Sequence, residues 1–418
     1  MDTILTNIGQ LCTPLGVSSA KGVKQGEIVT ISDAAVGVKD GKFAFVGNMS
    51  EFREHGGVPE SGADSPKPRI IDCGGKLVTP GLVDAHTHLV FGGWRQNELS
   101  LKLAGTAYLD ILKSGGGILR TVEQTRAATE TELAEKGERF LSEMLKLGVT
   151  TCEAKSGYGL STEDELKQLR VINTLNNSQP IDIVATFMGA HAVPKEFKND
   201  RAGYIDLIIR EMLRAVASEG LAEFCDIFCE SAVFTPEESK RILTEAKKNG
   251  LTPKIHADEI DPIGGAEIAA EVGAISAEHL IMASDNGIKK MAERGVVAVL
   301  LPATSFYLDK PYARARDMIN SNLAVAIATD FNPGSSPSLN IQLAMNLACL
   351  KYKLTPAEML TAVTLNGAAA INRADICGSA EVGKAADLVI WDAPDLDYLF
   401  YRYGSNLADM VIKGGEVV

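Results

Sequence analysis

Histidines in this chain are concentrated where apolar stretches end. The chain has 418 residues and six histidines, and only His55 lies away from such an end. The other five follow or close short apolar runs, and they are His86, His88, His191, His256 and His279. Because imidazole can ligate a metal ion or move a proton near neutral pH, this distribution indicates one shared site for metal or acid–base chemistry.

The pair His86 and His88 is the clearest metal-binding signal. On a strand, residues i and i+2 point to the same face, so both imidazoles can reach one ion. His-x-His alone is a weak signal, because two polar residues at a strand end are common. Here the pair follows the apolar segment 80–85, and His256 and Asp330 lie at the ends of other apolar runs. Three imidazoles and one carboxylate suit zinc or a similar transition metal, and they do not suit magnesium or calcium.

Eight apolar runs through the middle of the chain must position these residues. The runs are 78–89, 149–155, 181–190, 224–229, 253–257, 275–280, 296–301 and 324–329. Helical periodicity separates them, over 130–147, 163–175, 204–217, 236–249, 264–272 and 285–294. Such alternation predicts βαβ units and a parallel sheet, and eight parallel strands close a barrel. The carboxyl ends of barrel strands build the functional rim, and the histidines, Glu259 and Asp330 fall there.

Both ends of the chain differ from this middle part. Short strands are predicted over 27–32, 35–38 and 42–47, with an Asp-Gly hairpin turn at 39–42. Further strands are predicted over 387–391 and 410–413, with a tight turn at 413–416. We therefore predict an α/β protein in which residues 78–372 form a TIM-like (β/α)8 barrel. Residues 1–77 and 373–418 are expected to form a small discontinuous β-sandwich domain.

Composition limits the classes of partner. The chain has 41 basic and 54 acidic residues, so its net charge is 41 − 54 = −13, which disfavours binding to a nucleic-acid backbone. A small anionic substrate would need a locally placed cation. Seven scattered cysteines favour reduced thiols in the cytoplasm over a disulfide framework. Residues 1–10 lack the pattern of a signal peptide, and no apolar run is long enough to predict a transmembrane helix.

Residues 80–88, Pro-Gly-Leu-Val-Asp-Ala-His-Thr-His, resemble the metal-binding opening of the amidohydrolase superfamily. Six further segments together resemble the imidazolonepropionase family within it, and they are 91–98, 114–118, 155–160, 189–194, 256–259 and 330–334. The first motif is common to the superfamily, whereas the set of six is specific, and the resemblance extends over essentially the whole chain. It implies a metal-dependent hydrolase of histidine degradation. The implied reaction opens the ring of 4-imidazolone-5-propanoate and gives N-formimidoyl-L-glutamate.

The resemblance also implies a metal centre. The ligands that it carries over are His86, His88, His256 and Asp330. Members with two metal ions use a carboxylated lysine on the fourth strand, where this chain has Glu230, and Lys155 lies on the second strand. One ion per chain, zinc or iron, is therefore expected, and it would activate a water molecule for attack on the ring C–N bond.

Acid–base roles are a hypothesis at this stage. Asp330 can take the proton of the attacking water as general base. Glu259 lies three residues after His256, so it could move a proton to the leaving nitrogen. His279 could polarise the ring carbonyl and stabilise the developing oxyanion.

Arg95 is the candidate for binding the propanoate. Its planar guanidinium suits a bidentate hold on a carboxylate, although most arginines are simply solvated. The resemblance also implies substrate contacts by Glu259 and by five further residues: Tyr158, His191, Asn332, Gly334 and Ser335. Structural alternatives exist for three of them, since Tyr158 could cap a glycine turn, His191 could be a satisfied rim histidine, and Asn332 could start the turn at 333–334.

Two other functions stay open. Another mononuclear amidohydrolase, such as a nucleobase-type deaminase, would share the metal ligands, and Arg95 discriminates against it because a neutral base offers no carboxylate. A catalytically inactive relative with a role in assembly would be expected to lose ligands, and this chain keeps all four. A homodimer is expected because homodimers are common among soluble enzymes.

Overall fold

The fold was analysed on a computed structural model of the chain. The structure describes residues 1–57, 67–105, 116–231 and 233–418. Ser114 and Gly115, at the start of one segment of the family resemblance, lie outside the described residues.

Eight strands in the middle of the chain form a parallel barrel. In chain order they are β6 (Leu82–Asp84), β7 (Val149–Lys155), β8 (Asp182–Ala190), β9 (Phe224–Cys229), β10 (Thr252–Ala257), β11 (Ser276–His279), β12 (Val297–Leu300) and β13 (Ala324–Ile327). Each strand pairs in parallel with the next. The predicted barrel is confirmed, and its strands match the predicted apolar runs closely.

The barrel closes between its first and last strands, just beyond their ends. The backbone N–H of Asp330 donates to the carbonyl of His86 at 3.1 Å, and that of His88 donates to the carbonyl of Phe331 at 2.8 Å. The buried Asp84 carboxylate accepts from the backbone N–H and the hydroxyl of Thr329, at 3.0 and 2.6 Å. This closure brings His86, His88 and Asp330 to one point of the rim.

Helices connect the strands and cover the barrel. The longer ones are Ile118–Ala127, Glu130–Lys146, Thr162–Ser178, Pro236–Lys248, Gly265–Val272, Asp285–Arg294 and Ile341–Tyr352, with Arg201–Leu207 and Leu213–Glu219 joined by a π-helical segment, Ile208–Met212. Short helices are Met49–Glu54, Leu99–Leu103, Pro302–Tyr307, Ala315–Asn320, Pro356–Ala362, Leu365–Ala370 and Leu396–Tyr401. Several start at capping boxes, as at Thr129 and Thr235, where a glutamate three residues later returns the hydrogen bond.

A second, mixed sheet contains strands from both ends of the chain. Its strands are β1 (Thr3–Thr13), β2 (Val29–Lys39), β3 (Lys42–Asn48), β4 (Arg69–Asp72), β5 (Leu77–Pro80), β14 (Leu388–Trp391), β15 (Ala408–Lys413) and β16 (Glu416–Val417), in the order β16-β15-β14-β5-β1-β2-β3, with β4 beside β1. The predicted hairpin turn joins β2 and β3, and Asp40 and Gly41 both adopt positive φ, 51° and 73°. We call this the terminal sheet.

The structure corrects one predicted strand. The run 78–89 was expected to be a single barrel strand, but it divides between the two sheets. Leu77–Pro80 pairs with β14 in the terminal sheet, and only Leu82–Asp84 pairs with β7 in the barrel. Gly81 allows the crossing because a Cβ there would overlap the Thr150 side chain. Among the described residues, no helix has both the length and the apolar character needed to cross a membrane.

Candidate metal centre

Three histidines and one aspartate meet at the carboxyl end of the barrel. His86 and His88 follow β6, His256 lies in β10, and Asp330 follows β13. All four side chains are buried. The structure therefore brings together, from three separate strands, the four residues predicted from the sequence to bind metal.

The donor atoms are spaced as ligands of one small ion would be. Asp330 Oδ1 lies 3.4 Å from His86 Nε2 and 3.7 Å from His88 Nε2. His256 Nε2 lies 3.4 Å from His88 Nε2. Four nitrogen or oxygen ligands about 2.0–2.2 Å from a tetrahedral zinc ion would lie roughly 3.3–3.6 Å from one another. The observed spacings agree with such an arrangement.

The electrostatic state of the imidazoles also fits a metal ion. Burial is the main reason why the pKa values of His86 and His88 lie well below the ordinary histidine value. Neutral imidazoles keep a lone pair for a metal ion. His86 Nε2 is buried and has no hydrogen-bond partner among the described residues, which is costly unless the atom binds something. The residues present therefore fit a transition-metal ion.

Asp330 is held at the centre by neighbours from the rim. The Thr304 hydroxyl donates to Asp330 Oδ2 at 2.6 Å, and Ser335 Oγ lies 3.5 Å from the same oxygen. Asp330 adopts a positive φ of 53°, an uncommon conformation that costs free energy outside glycine. Burial raises the pKa of Asp330 to about 6, so the group is mainly ionised at neutral pH and is close to the best value for a general base.

Glu259 and His279 form a second pair beside the centre. His279 ends β11, and its Nε2 lies 3.6 Å from Glu259 Oε2. Ligating atoms of His279, His86 and His256 all lie within 4.8 Å of one another. Burial, assisted by the Asp330 carboxylate, raises the pKa of Glu259 to about 8. Glu259 therefore carries a proton at neutral pH.

His191 and Tyr158 line the same mouth. The His191 ring stacks on that of His88, with centroids 4.8 Å apart and an interplanar angle of 19°. The Tyr158 ring lies 5.2 Å from His191 and 5.8 Å from His88. His191 Nδ1 is 3.1 Å from the Gly157 carbonyl, and burial lowers the pKa of this histidine to about 3. Both side chains are within reach of anything bound between His88 and the rim.

Arg95 lies against the loop that follows Asp330. A Cβ built on Gly334 would overlap the Arg95 guanidinium, so the fork is packed directly on the glycine backbone. The Arg95 charge also contributes to the lowered pKa of His191. The structure therefore brings Arg95, His191 and Gly334 to one side of the mouth, as a propanoate-binding site requires.

Asn332 organises this loop from within. Its Oδ1 accepts from the backbone N–H groups of Gly334 and Ser335, both at 2.8 Å. Its Nδ2 donates to the Asp330 carbonyl at 2.7 Å and to Ser335 Oγ at 2.8 Å. The side chain thus holds the turn, which was the structural alternative for this residue.

Two residues at the centre were missed by the sequence reasoning. Asp226, in the middle of β9, faces His256 Nδ1 from 3.0 Å. Thr304 follows β12, the one strand after which no polar rim residue had been identified. A signal existed for Asp226, because a carboxylate inside an apolar strand needs a partner. A threonine after a strand is too common to be noticed.

Comparisons with known proteins agree with this geometry. A model of the amidohydrolase family matches residues 77–418. An imidazolonepropionase of Alkaliphilus metalliredigens is 51% identical over 420 residues, covering 100% of this chain and 98% of the relative. Guanine deaminase of E. coli has a TM-score of 0.73 at 15% identity, covering 100% of this chain and 98% of that structure. An adenosine deaminase of Xanthomonas campestris with bound zinc has a TM-score of 0.69 at 20% identity, with coverages of 100% and 92%.

The two solved structures show a shared fold, whereas the relative at 51% identity is similar along the whole chain. The matched family model covers the barrel and the carboxyl-terminal strands of the terminal sheet. The chain therefore belongs to the amidohydrolase family and, within it, to the imidazolonepropionases.

Proposed function

We propose that this chain hydrolyses the ring C–N bond of 4-imidazolone-5-propanoate and releases N-formimidoyl-L-glutamate, a step of histidine degradation. The observation that carries the proposal is the packing of the Arg95 fork on the loop that begins at Asp330. A cation for a carboxylate and a candidate metal centre then share one mouth. The full-length similarity to imidazolonepropionases supports the same substrate.

His86, His88, His256 and Asp330 would hold one transition-metal ion, either zinc or iron. Such an ion lowers the pKa of a bound water molecule towards 7, which supplies a nucleophile at neutral pH. Asp330 takes the proton of the attacking water. The Thr304 hydroxyl, 2.6 Å from Oδ2, fixes the carboxylate for this transfer.

Glu259 and His279 act on the substrate side. Because burial raises the pKa of Glu259 to about 8, its protonated form can give a proton to the ring nitrogen that leaves. His279 polarises the ring carbonyl and stabilises negative charge on its oxygen. The contact of 3.6 Å between His279 Nε2 and Glu259 Oε2 supports a joint role.

Substrate binding is assigned to the opposite side of the mouth. Arg95 binds the propanoate carboxylate with two parallel hydrogen bonds. Gly334 and Ser335 contact the substrate from the loop that Asn332 organises, and Tyr158 and His191 contact the ring. Arg95 would supply the local cation that an anionic substrate needs on a chain of net charge −13.

The test is a hydrolysis assay on freshly prepared 4-imidazolone-5-propanoate, with the metal content measured on the same sample. We expect loss of the imidazolone chromophore and about one metal ion per chain, the single-ion state expected for four protein ligands. Chelation should abolish turnover, and separate reloading with zinc and with iron identifies the metal that restores it. A metal-loaded protein that leaves this substrate intact would contradict the proposal and direct the search to other cyclic amides and amidines.

We also propose that the chain works in the cytoplasm as a homodimer without a nucleic-acid partner. All seven cysteines are free, which supports a reducing compartment, and the excess of acidic residues disfavours nucleic acid. Light scattering of the purified protein tests the dimer, and a monomer mass at enzyme-assay concentration would contradict it.

A further inference from the structure

Beneath the candidate metal centre, the barrel holds five fully buried charged side chains. They are Glu153, Lys155, Asp226, Lys254 and Glu278, each with a side chain 0% exposed. We call this group the ionic layer. Barrel interiors are usually filled by bulky apolar side chains. Because apolar side chains in place of a buried ion pair are often neutral or stabilising, stability alone does not account for the layer.

Ion pairs connect the layer from one strand to the next. Lys155 Nζ lies 2.7 Å from both Glu153 Oε2 and Asp226 Oδ2. Lys254 Nζ lies 2.8 Å from Glu153 Oε1 and 3.5 Å from Glu278 Oε1. Two ammonium groups and three carboxylates leave the layer with a net charge of 2 − 3 = −1. This charge sign is favourable beneath a bound cation.

The layer reaches the metal centre through Asp226. Asp226 Oδ1 accepts from the backbone N–H of Ile227 at 2.7 Å and from that of His256 at 3.2 Å. Its Oδ2 lies between Lys155 Nζ and His256 Nδ1, at 2.7 and 3.0 Å. Although burial raises the pKa of Asp226, His256 and Lys155 together hold it well below its usual value. The carboxylate is therefore ionised and fixed on both oxygens.

Asp226 decides which nitrogen of His256 is available. A carboxylate beside Nδ1 keeps the ring proton there and leaves the lone pair on Nε2. Nε2 points to the centre, 3.4 Å from His88 Nε2. Within the described part of the chain, neither His86 nor His88 has a carboxylate within 4 Å of Nδ1, because their printed ion pairs are made through Nε2. His256 is thus the ligand whose orientation is set from the barrel interior.

We propose that Asp226 is a positioning residue that orients His256 for metal binding, and that Lys155 and the rest of the ionic layer hold Asp226 in place. The inference rests on the proposed metal centre and is independent of which substrate the enzyme opens. It explains why charges occupy an interior that apolar side chains could fill, since their fixed geometry aligns a ligand.

The test measures Zn²⁺ binding by the metal-free full-length chain against a chromophoric chelator. In Asp226→Asn the side chain keeps its size but has only one oxygen, whereas donors face both oxygens of the aspartate. We expect the Kd for Zn²⁺ to rise about 10–100-fold, the range found when outer partners of ligating histidines are removed. The visible absorption spectrum of the Co²⁺-loaded protein should also change, because the ligand field changes with the ring orientation.

Glu230→Gln is the matched control. Glu230 directly follows β9, is 1% exposed, and accepts from backbone N–H groups of Ser231, Ile260 and Asp261. It loses the same charge without a printed contact to a candidate ligand. Its Kd for Zn²⁺ and its Co²⁺ spectrum should equal those of the parent. If Asp226→Asn does not fold, Asp226→Asn/Lys155→Met removes the ammonium left without its carboxylate and carries the same test.

The outcomes separate this inference from the proposed function. A parent chain that fails to bind Zn²⁺ would sink the metal centre and the inference with it. A parent that binds Zn²⁺ but does not open the imidazolone ring would remove the proposed substrate only. Parent-like Zn²⁺ affinity and Co²⁺ spectrum in the Asp226 variant, or equal weakening in Glu230→Gln, would overturn the positioning role.

Discussion

The terminal sheet and the mouth of the barrel solve opposite problems with buried strands. The core of the terminal sheet includes Leu5, Val36, Leu388 and Ile412, which are all 0% exposed. The barrel mouth instead buries imidazoles, carboxylates and ammonium groups. Apolar burial stabilises the fold at every contact, whereas buried charges cost free energy unless their geometry compensates. The sheet thus contributes stability, and the mouth uses some of it to fix donor atoms.

Backbone conformation shows the same contrast. In the terminal sheet, positive φ falls on Asn7, Asp33 and Asp40, residue types that tolerate it. At the mouth it falls on His279 and Leu280 in succession, with φ of 68° and 57°. Such strain persists where the surrounding structure enforces it, and it is typical of functional sites. Changes at the mouth should therefore alter activity with little loss of stability, and changes in the terminal sheet should do the reverse.

The largest effect is expected from Asp330→Asn. The amide keeps the shape but cannot take a proton, so we expect kcat to fall by about 10²–10⁴-fold, the usual contribution of a general base. The temperature of unfolding should change little. Steady-state kinetics and thermal unfolding on the same preparation measure both quantities. An active Asp330→Asn enzyme would remove the base assignment.

Leu388→Ala tests the other side of the comparison. Leu388 is fully buried and lies between Pro80 and Ile412 in the terminal sheet. Truncation should cost about 2–5 kcal/mol of the free energy of unfolding, measured by denaturant titration. The kcat and KM of the folded fraction at low temperature should equal the parent values. A large fall in kcat without loss of stability would show that this sheet shapes the mouth.

Arg95→Lys should act on binding alone. Lysine keeps the charge but loses the bidentate fork, so we expect KM to rise about 10–100-fold, which corresponds to about 1.4–2.7 kcal/mol. With kcat unchanged, the lost interaction is one made equally in the ground and transition states. The kinetics must be run with the metal content matched to the parent. An unchanged KM would withdraw Arg95 as the carboxylate clamp.

The sequence predicted the barrel well because its signal is local. Apolar runs of strand length and helices with caps are legible without any partner, so seven of the eight barrel strands coincide with predicted runs to within about two residues, the usual uncertainty of element ends. The first run is different, since nothing between Leu77 and Leu82 tells which sheet each half will join. The choice depends on β14, which lies some three hundred residues later along the chain.

The site was predictable where residue type and strand end coincide. His86, His88, His256 and Asp330 each stand at the end of an apolar run, so their meeting follows from the barrel itself; their roles stay predictions. The ionic layer was not foreseen, because its ion pairs join different strands. A trace was present in the spacing of Glu153 with Lys155 and of Lys254 with His256, which share a strand face at i and i+2.

The smallest and most specific effect is expected from Gly334→Ala. A Cβ at this position would overlap the Arg95 guanidinium. Gly334 is absent from the positive-φ glycines, so alanine is sterically excluded there only by its neighbour. We expect KM to rise about tenfold, or about 1.4 kcal/mol, with kcat and stability close to the parent. In an Arg95→Ala background the same substitution should change KM no further, because the guanidinium that it displaces is gone. Additive effects in this double-mutant cycle would mean that Gly334 acts on the substrate directly, and that the mouth, unlike the terminal sheet, does not depend on close packing between its parts.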